Sequence, residues 1–358
     1  MSHPSDTLTD VADRAVTDRA GALSDAPPSG VKLSVDAWDP AYGAAIEAAE
    51  AEPTGESSAD VRVEVEREPA AWAPLTPASG RALPSTILLV DGVRRIDAHI
   101  YVEEAGGTVH TGLAASYAAG VVRCDLRRGS AAVAGARVMR GFFTSSLDAA
   151  DIVTGHARYQ VHRVASMELA QIKQAIQTRL RALEIEVSAL ARATTETLGP
   201  DYTADDDLLV LDGPLTGRDQ LPRALGYVKT HRVQYLSPDL SSVVSRLGPG
   251  QRTPVFFVGT SWNRYTWYLR LPGGGRAPWA GVVRVECSAD LAKSEAIALA
   301  DLSALTLPRF ASHPYKDARA PQNLTPIAGL ERKLRGMLGD QRLLLRGLTA
   351  ATARHRAA

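Results

Sequence analysis

The stretch Leu208-Leu209-Val210-Leu211-Asp212-Gly213-Pro214-Leu215 decides how the chain is read. Four apolar residues run into an acid, and Gly-Pro stops the run. A short continuous apolar run of this kind reads as a strand buried on both faces. Asp212 then sits at its C-terminal end, where open sheets bind their ligands. The pattern recurs at Ile87-Leu88-Leu89-Val90-Asp91-Gly92. Two buried strands, each ending in Asp-Gly, bring two carboxylates together. Carboxylates that close repel unless a cation neutralises them, and a divalent ion with oxygen ligands does this well.

The 358 residues suffice for one large domain with insertions or for two domains. Lys and Arg number 40, as do Asp and Glu, so a nucleic-acid surface has to be a local patch. The two cysteines, Cys124 and Cys287, form no CxxC pair, which argues against a zinc-finger or disulfide framework. No stretch approaches the roughly 20 apolar residues of a membrane span, and the N-terminus has no basic flank and apolar core of a secretory signal. The expected location is the reducing cytoplasm, with no membrane partner.

Outward from the two acid-ended runs, residues 1–30 are Ser-, Asp-, Ala- and Pro-rich and read as a disordered tail. Val35–Gly43 alternates acids with aromatics and reads as an arm. Val61–Val65 reads as an edge strand between Pro/Glu/Ala-rich segments. Thr86–Val90 is the first core strand, with a tight turn expected at Gly92 and a hairpin partner at Arg94–Val102. Leu113–Leu126 is a third strand, completing an antiparallel meander. Tyr159–Leu198 reads as helix, with Leu169, Ile172, Ile176, Leu180, Leu183, Val187 and Leu190 at steps of three or four. Asp205-Asp206-Asp207 reads as a solvated loop before the Leu208 strand. Gly226–Lys229 reads as a strand start, Leu236–Leu247 as helix, and Thr253–Gly259, Tyr265–Leu271 and Val282–Cys287 as strands. Helices follow at 291–305 and, basic and amphipathic, at 329–348. Gly273-Gly274-Gly275 has no following lysine or helix, which excludes a P-loop.

An Asp-ended strand, two antiparallel partners, a helix with acids and a second Asp-ended strand follow the layout of ribonuclease H-like nucleases. The expected fold class is α/β: a ribonuclease H-like mixed sheet flanked by helices, with an added C-terminal helical region and a disordered N-terminal tail. The expected domain spans 31–348, with an inserted helix around 157–198 and a short tail at 349–358. In that fold the first-strand Asp, a helix Glu and the fourth-strand Asp hold two divalent ions for phosphodiester hydrolysis.

Val35–Gly43, the Asp91-Gly92 strand, Leu211–Leu215, Gly226-Tyr227-Val228-Lys229 and His313-Pro314-Tyr315…Pro321-Gln322-Asn323 together resemble the NurA nuclease family, in its bacterial branch, over roughly 33–345. The resemblance implies a homodimer that cleaves single- or double-stranded DNA with Mn2+ or Mg2+, beside a HerA-type hexameric ATPase in DNA end resection. The runner-up reading is a non-catalytic DNA-binding or clamp subunit of such an ATPase.

Carried over by motif, Asp91 and Asp212 match the acids of the first and second motifs, and Glu184 or Glu186 matches the helix acid. All four are candidate metal ligands and catalytic residues. The first motif reads Asp91-Gly92-Val93 rather than Asp-Gly-Ser. The family's C-terminal histidine falls near Gln322 or Asn323, with His313 and Asp317 as possible replacements. An amide can ligate a hard cation but cannot shuttle a proton, whereas Asp317 can do both, so Asp317 is preferred over His313. Arg94, Lys229, Arg232 and Tyr315 are DNA-binding candidates. Arg332, Lys333 and Arg335 offer a basic helix face, and Tyr265, Trp267 and Tyr268 offer rings for base stacking.

Overall fold

The computed structural model describes residues 55–56, 59–78, 80, 82–104, 107–194, 206–231, 233–275 and 277–357. The expected tail at 1–30, the Val35–Gly43 arm and Arg232 lie outside the described residues. In chain order the elements are β1 (Gly55–Glu56), β2 (Asp60–Arg62), β3 (Thr86–Glu103), β4 (Val109–Asp125), β5 (Ser130–Thr144), β6 (Ile152–Val153), β7 (Arg158–Arg163), α1 (Leu169–Ala193), β8 (Asp207–Asp212), β9 (Ala224–Val228), β10 (Val233–Gln234), α2 (Pro238–Ser245), β11 (Phe256–Gly259), β12 (Asn263–Arg270), β13 (Val282–Ser288), α3 (Lys293–Thr306), α4 (Thr325–Met337) and α5 (Gln341–Ala357).

One mixed sheet runs in the order β2-β11-β12-β13-β9-β8-β3-β4-β5-β7-β6. At its centre β3 pairs antiparallel with β4, and β4 with β5, while β8 and then β9 add in parallel on the other side of β3. That is the expected ribonuclease H-like order, extended at both ends. The two apolar runs are the central strands, and alternation sends their side chains to two separate cores. Ile87, Leu89, Leu208 and Val210 face the core shared with α3 and α4, while Leu88, Val90, Leu209 and Leu211 face the one shared with α1. Burial on both faces is why the runs do not alternate with polar residues.

Several elements differ from expectation for identifiable reasons. Gly92 is no turn: β3 runs through it to Glu103, and the hairpin closes at Glu104–Thr108. A Cβ at Gly92 would lie 2.5 Å from Glu184 Oε1 and 2.8 Å from Leu180 Cδ1, so the glycine admits α1 against the strand. The meander is therefore β3-β4-β5, and β5 had no counterpart in the sequence reading. Gly120, in the second half of β4, has a related cause: it lies under Leu330 and Leu334 of α4. Residues 158–163 are strand β7, and the helix begins at Leu169. Asp207 is not in a solvated loop. It opens β8, is buried, and pairs with Arg192 and Arg223, each at 2.8 Å. Gly226–Val228 end β9 rather than starting a strand, and Lys229 lies just past it. The expected basic helix is two helices, broken at Gly339 with its φ of +81°. That break is tied to the sheet by Arg95, which donates to Gly339 O at 2.9 Å and to buried Asp97 at 2.9 Å. Asp97 also accepts from Ser116 at 2.5 Å and Tyr159 at 3.0 Å.

Helix α4 lays Ile327, Leu330 and Leu334 on the sheet and leaves Arg332 and Lys333 exposed. Leu330→Ala should therefore lower the unfolding free energy by about 2–5 kcal/mol in a denaturant titration. Arg332→Ala on the same helix should change it by less than about 0.5 kcal/mol.

Candidate active site

The site starts from strand register. Val90 lies beside Leu211 at the end of the parallel β3–β8 ladder, so the next residues, Asp91 within β3 and Asp212 at the end of β8, are neighbours. Alternation carries both to the face covered by α4. Lys229, just past β9, follows the same alternation from Leu225 and Tyr227, and its Nζ donates to Asp212 Oδ2 at 2.7 Å. Asp91 Oδ1 accepts the N–H of Gly92 at 2.8 Å.

The turn after Asp212 is built to hold that carboxylate at the sheet edge. Gly213 has φ of +92°, a conformation a side chain would strain, and its N–H donates to Tyr227 O. The N–H of Leu215 donates to Glu286 Oε1 at 2.6 Å, and Glu286 is wholly buried. Arg264 at 3.4 Å and Arg284 at 3.6 Å offset its charge. Gly226 makes room for it, because a Cβ there would sit 2.8 Å from Glu286 Cγ.

Asp91 carries an electrostatic signature of the site. Burial pushes its pKa well above the ordinary carboxylate value. Asp212, Glu331 and Glu184 push the same way, and Lys229 opposes them. Burial is the largest of these causes, and the neighbouring carboxylates act in the same direction. Glu331, on α4, was not among the sequence candidates. Its own burial would raise its pKa, but hydrogen bonds from Arg335 and Arg319 outweigh this and hold it low.

Glu184 and Glu186, which periodicity left equivalent, occupy different surroundings. Glu184 is buried, reaches β3 at Gly92 from the α1 face, and is ion-paired with buried Arg218. Arg218 also donates to Pro214 O and was likewise not a candidate. Glu186 is half exposed on the outer flank, ion-paired with Arg137 of β5, and is not brought to the acids. Asp317 connects to Asp212 through Asn323 and Lys229: Asn323 Oδ1 accepts from Lys229 at 2.9 Å, and its Nδ2 donates to Asp317 at 2.5 Å. His313 is exposed and stacks on exposed Tyr315 with centroids 5.7 Å apart. Arg94 lies part-buried on β3, three residues beyond Asp91. Trp267 and Tyr268 are not available for base stacking, since both are buried in the core.

Among the described residues, no three His, Cys, Asp or Glu side chains are grouped to hold a metal ion. The partition explains this: Asp91 and Asp212 lie on one face of the sheet, Glu184 comes from the other, and Arg218 and Lys229 are drawn onto Glu184 and Asp212. The donor chemistry nevertheless fits a hard cation, because Asp91 and Asp212 set carboxylate oxygens side by side on one sheet face.

No protein-family model matches the chain, and no curated protein does. Among solved structures it is similar to endonuclease V from Bacillus subtilis, at 11% identity and a TM-score of 0.32, over 73% of this chain and 85% of that one. It is also similar to NurA with manganese, at 15% identity and a TM-score of 0.16, over 43% of this chain and 24% of that one. Among the described residues no helix is long and apolar enough to cross a membrane.

A carboxyl whose pKa is raised on folding destabilises the fold once it ionises. The penalty is absent below the unfolded value near 3.8 and grows as pH rises toward the raised folded value. Asp91→Asn should therefore melt higher than wild type in EDTA at pH 8, and the gap should close as pH falls toward 4. A scanning-fluorimetry pH series measures this directly.

Proposed function

We propose that this chain is a divalent-metal-dependent nuclease that cleaves DNA at Asp91 and Asp212. The observation that carries the reading is the placement of these two carboxylates on adjacent parallel strands and one sheet face, with Glu331 and Glu184 adding negative field from either side. Asp91 and Asp212 would hold the ion. A bound Mn2+ or Mg2+ supplies neutralisation and a water activated for attack on phosphorus. Lys229, at Asp212, offers positive charge to the phosphate. Arg232 and Tyr315 extend the DNA path on the strength of the sequence, whereas alternation along β3 puts Arg94 on the opposite, α1 face; Asp317 serves Lys229 rather than the ion.

The motif order shared with the NurA family extends the proposal to a homodimer that works in DNA end processing beside a HerA-type ATPase. Light scattering at micromolar concentration should give twice the chain mass. One observation favours the runner-up, a non-catalytic DNA-binding subunit: Glu184 and Asp212 are each already ion-paired with a side chain of the protein.

End-labelled single- and double-stranded DNA, incubated with Mn2+, Mg2+ or EDTA, decides between them. Cleavage should require the metal, and Asp91→Asn and Asp212→Asn should each lose more than the roughly 10–100-fold that removing an outer-shell partner costs. Wild-type rates in both variants would contradict the assignment. DNA binding without cleavage under every metal condition would establish the runner-up.

A further inference from the structure

Lys229 is held with more care than a counter-ion needs. Its Nζ donates to Asp212 Oδ2 at 2.7 Å and to Asn323 Oδ1 at 2.9 Å, and its side chain is only 8% exposed. Asn323 is wholly buried, and its Nδ2 donates to Asp317 Oδ2 at 2.5 Å. An ammonium can only donate and a carboxylate can only accept, so the amide between them has a single satisfying orientation. Its oxygen must face Lys229 and its nitrogen Asp317.

The backbone beneath is fixed as well. Tyr227 OH donates to Gln322 O at 2.6 Å, and Asn323 N–H donates to Arg319 O at 3.0 Å. Asp317 Oδ1 accepts Arg319 N–H at 2.8 Å. Offsetting the charge of Asp212 would require only a cation nearby. A lysine loses much rotamer freedom when two acceptors from different segments fix it, which is useful where the position of its charge matters.

We propose that Asp317 and Asn323 are positioning residues that lock the Lys229 ammonium beside Asp212, so that its remaining N–H meets a non-bridging oxygen of the DNA phosphate. The phosphate half rests on the nuclease reading, whereas the lock does not. Asp317 touches neither ion nor substrate in this scheme and acts only through the amide it orients.

Two measurements on the full chain test it. The first is the rate at which acetic anhydride labels Lys229 Nζ, followed by mass spectrometry, with Lys173 and Lys293 as internal references. Asp317→Ala and Asn323→Ala should each raise the Lys229 rate by about tenfold, the equivalent of one lost charge-assisted hydrogen bond. The double variant should be no faster than Asn323→Ala alone. Asp317→Asn can still accept from Arg319 N–H but can also donate, so it no longer dictates the amide's orientation, and its rate should fall between wild type and Asp317→Ala. An unchanged rate in Asp317→Ala, or an additive double variant, overturns the lock. Because Asp317→Asn keeps the local turn, a raised rate there with an unaltered melting temperature separates loss of the lock from misfolding.

The second measurement is Mn2+-dependent cleavage. Each single variant should lose about tenfold in kcat with KM for DNA nearly constant. Raised labelling with unchanged kcat overturns the phosphate role. If wild type does not cleave DNA at all, the nuclease reading and the phosphate role fall together, while the labelling rates still decide the lock.

Discussion

The structure depends on one parallel pairing, β3 against β8, which sets Val90 beside Leu211 and so brings Asp91 and Asp212 to one place. Everything nearby answers the electrostatic consequence. Setting a buried carboxylate beside a partly buried one is unfavourable unless positive charge or protonation intervenes. Lys229 supplies positive charge at Asp212, while burial, together with the neighbouring Asp212, holds the pKa of Asp91 raised. The flanking glycines follow from the same pairing: Gly92 lets α1 and Glu184 press against β3, and Gly226 accommodates Glu286, which fixes the turn after Asp212.

The two faces of the sheet contribute differently. On the α4 face, Asp91, Asp212, Lys229, Asn323, Asp317 and Glu331 form a connected set of acids and donors. From the α1 face, Glu184 arrives already matched by Arg218 in a buried pair. Breaking such a pair by removing one partner is costly, because the charge left behind stays buried. An ion shared among Asp91, Asp212 and Glu184 would therefore have to compete with Arg218 as well as Lys229.

Much of this was legible in the sequence where the signal is local. The apolar runs ending in Asp91 and Asp212 mark central strands because burial on both faces leaves no polar alternation to blur them. The position of those runs on either side of the long helix gives the layout, whereas the meander between them does not read correctly, because β3 is one long strand and β5 carries no clear signal. What could not be read depends on contacts distant in sequence. Gly92 looks like a turn until Leu180 and Glu184 are seen against it. Glu184 and Glu186 are two residues apart on one helix, and only the packing of α1 buries the first and sends the second to Arg137. Asp207 reads as a solvated acid because its partners Arg192 and Arg223 are 15 and 16 residues away. Glu331 and Arg218 carry no local mark at all. Asn323 was noted only as standing where a histidine was expected, and its role emerges from the donor-only and acceptor-only groups on either side of it.

The proposed nuclease chemistry stands or falls with a divalent ion held between Asp91 and Asp212. Anomalous diffraction from crystals soaked in MnCl2, recorded at the manganese edge, tests it most directly. A peak is expected within about 2.0–2.6 Å of carboxylate oxygens from both Asp91 and Asp212, lost in Asp91→Asn crystals. A fully soaked crystal with no manganese at these two side chains, or with manganese bound only elsewhere on the protein, would contradict it.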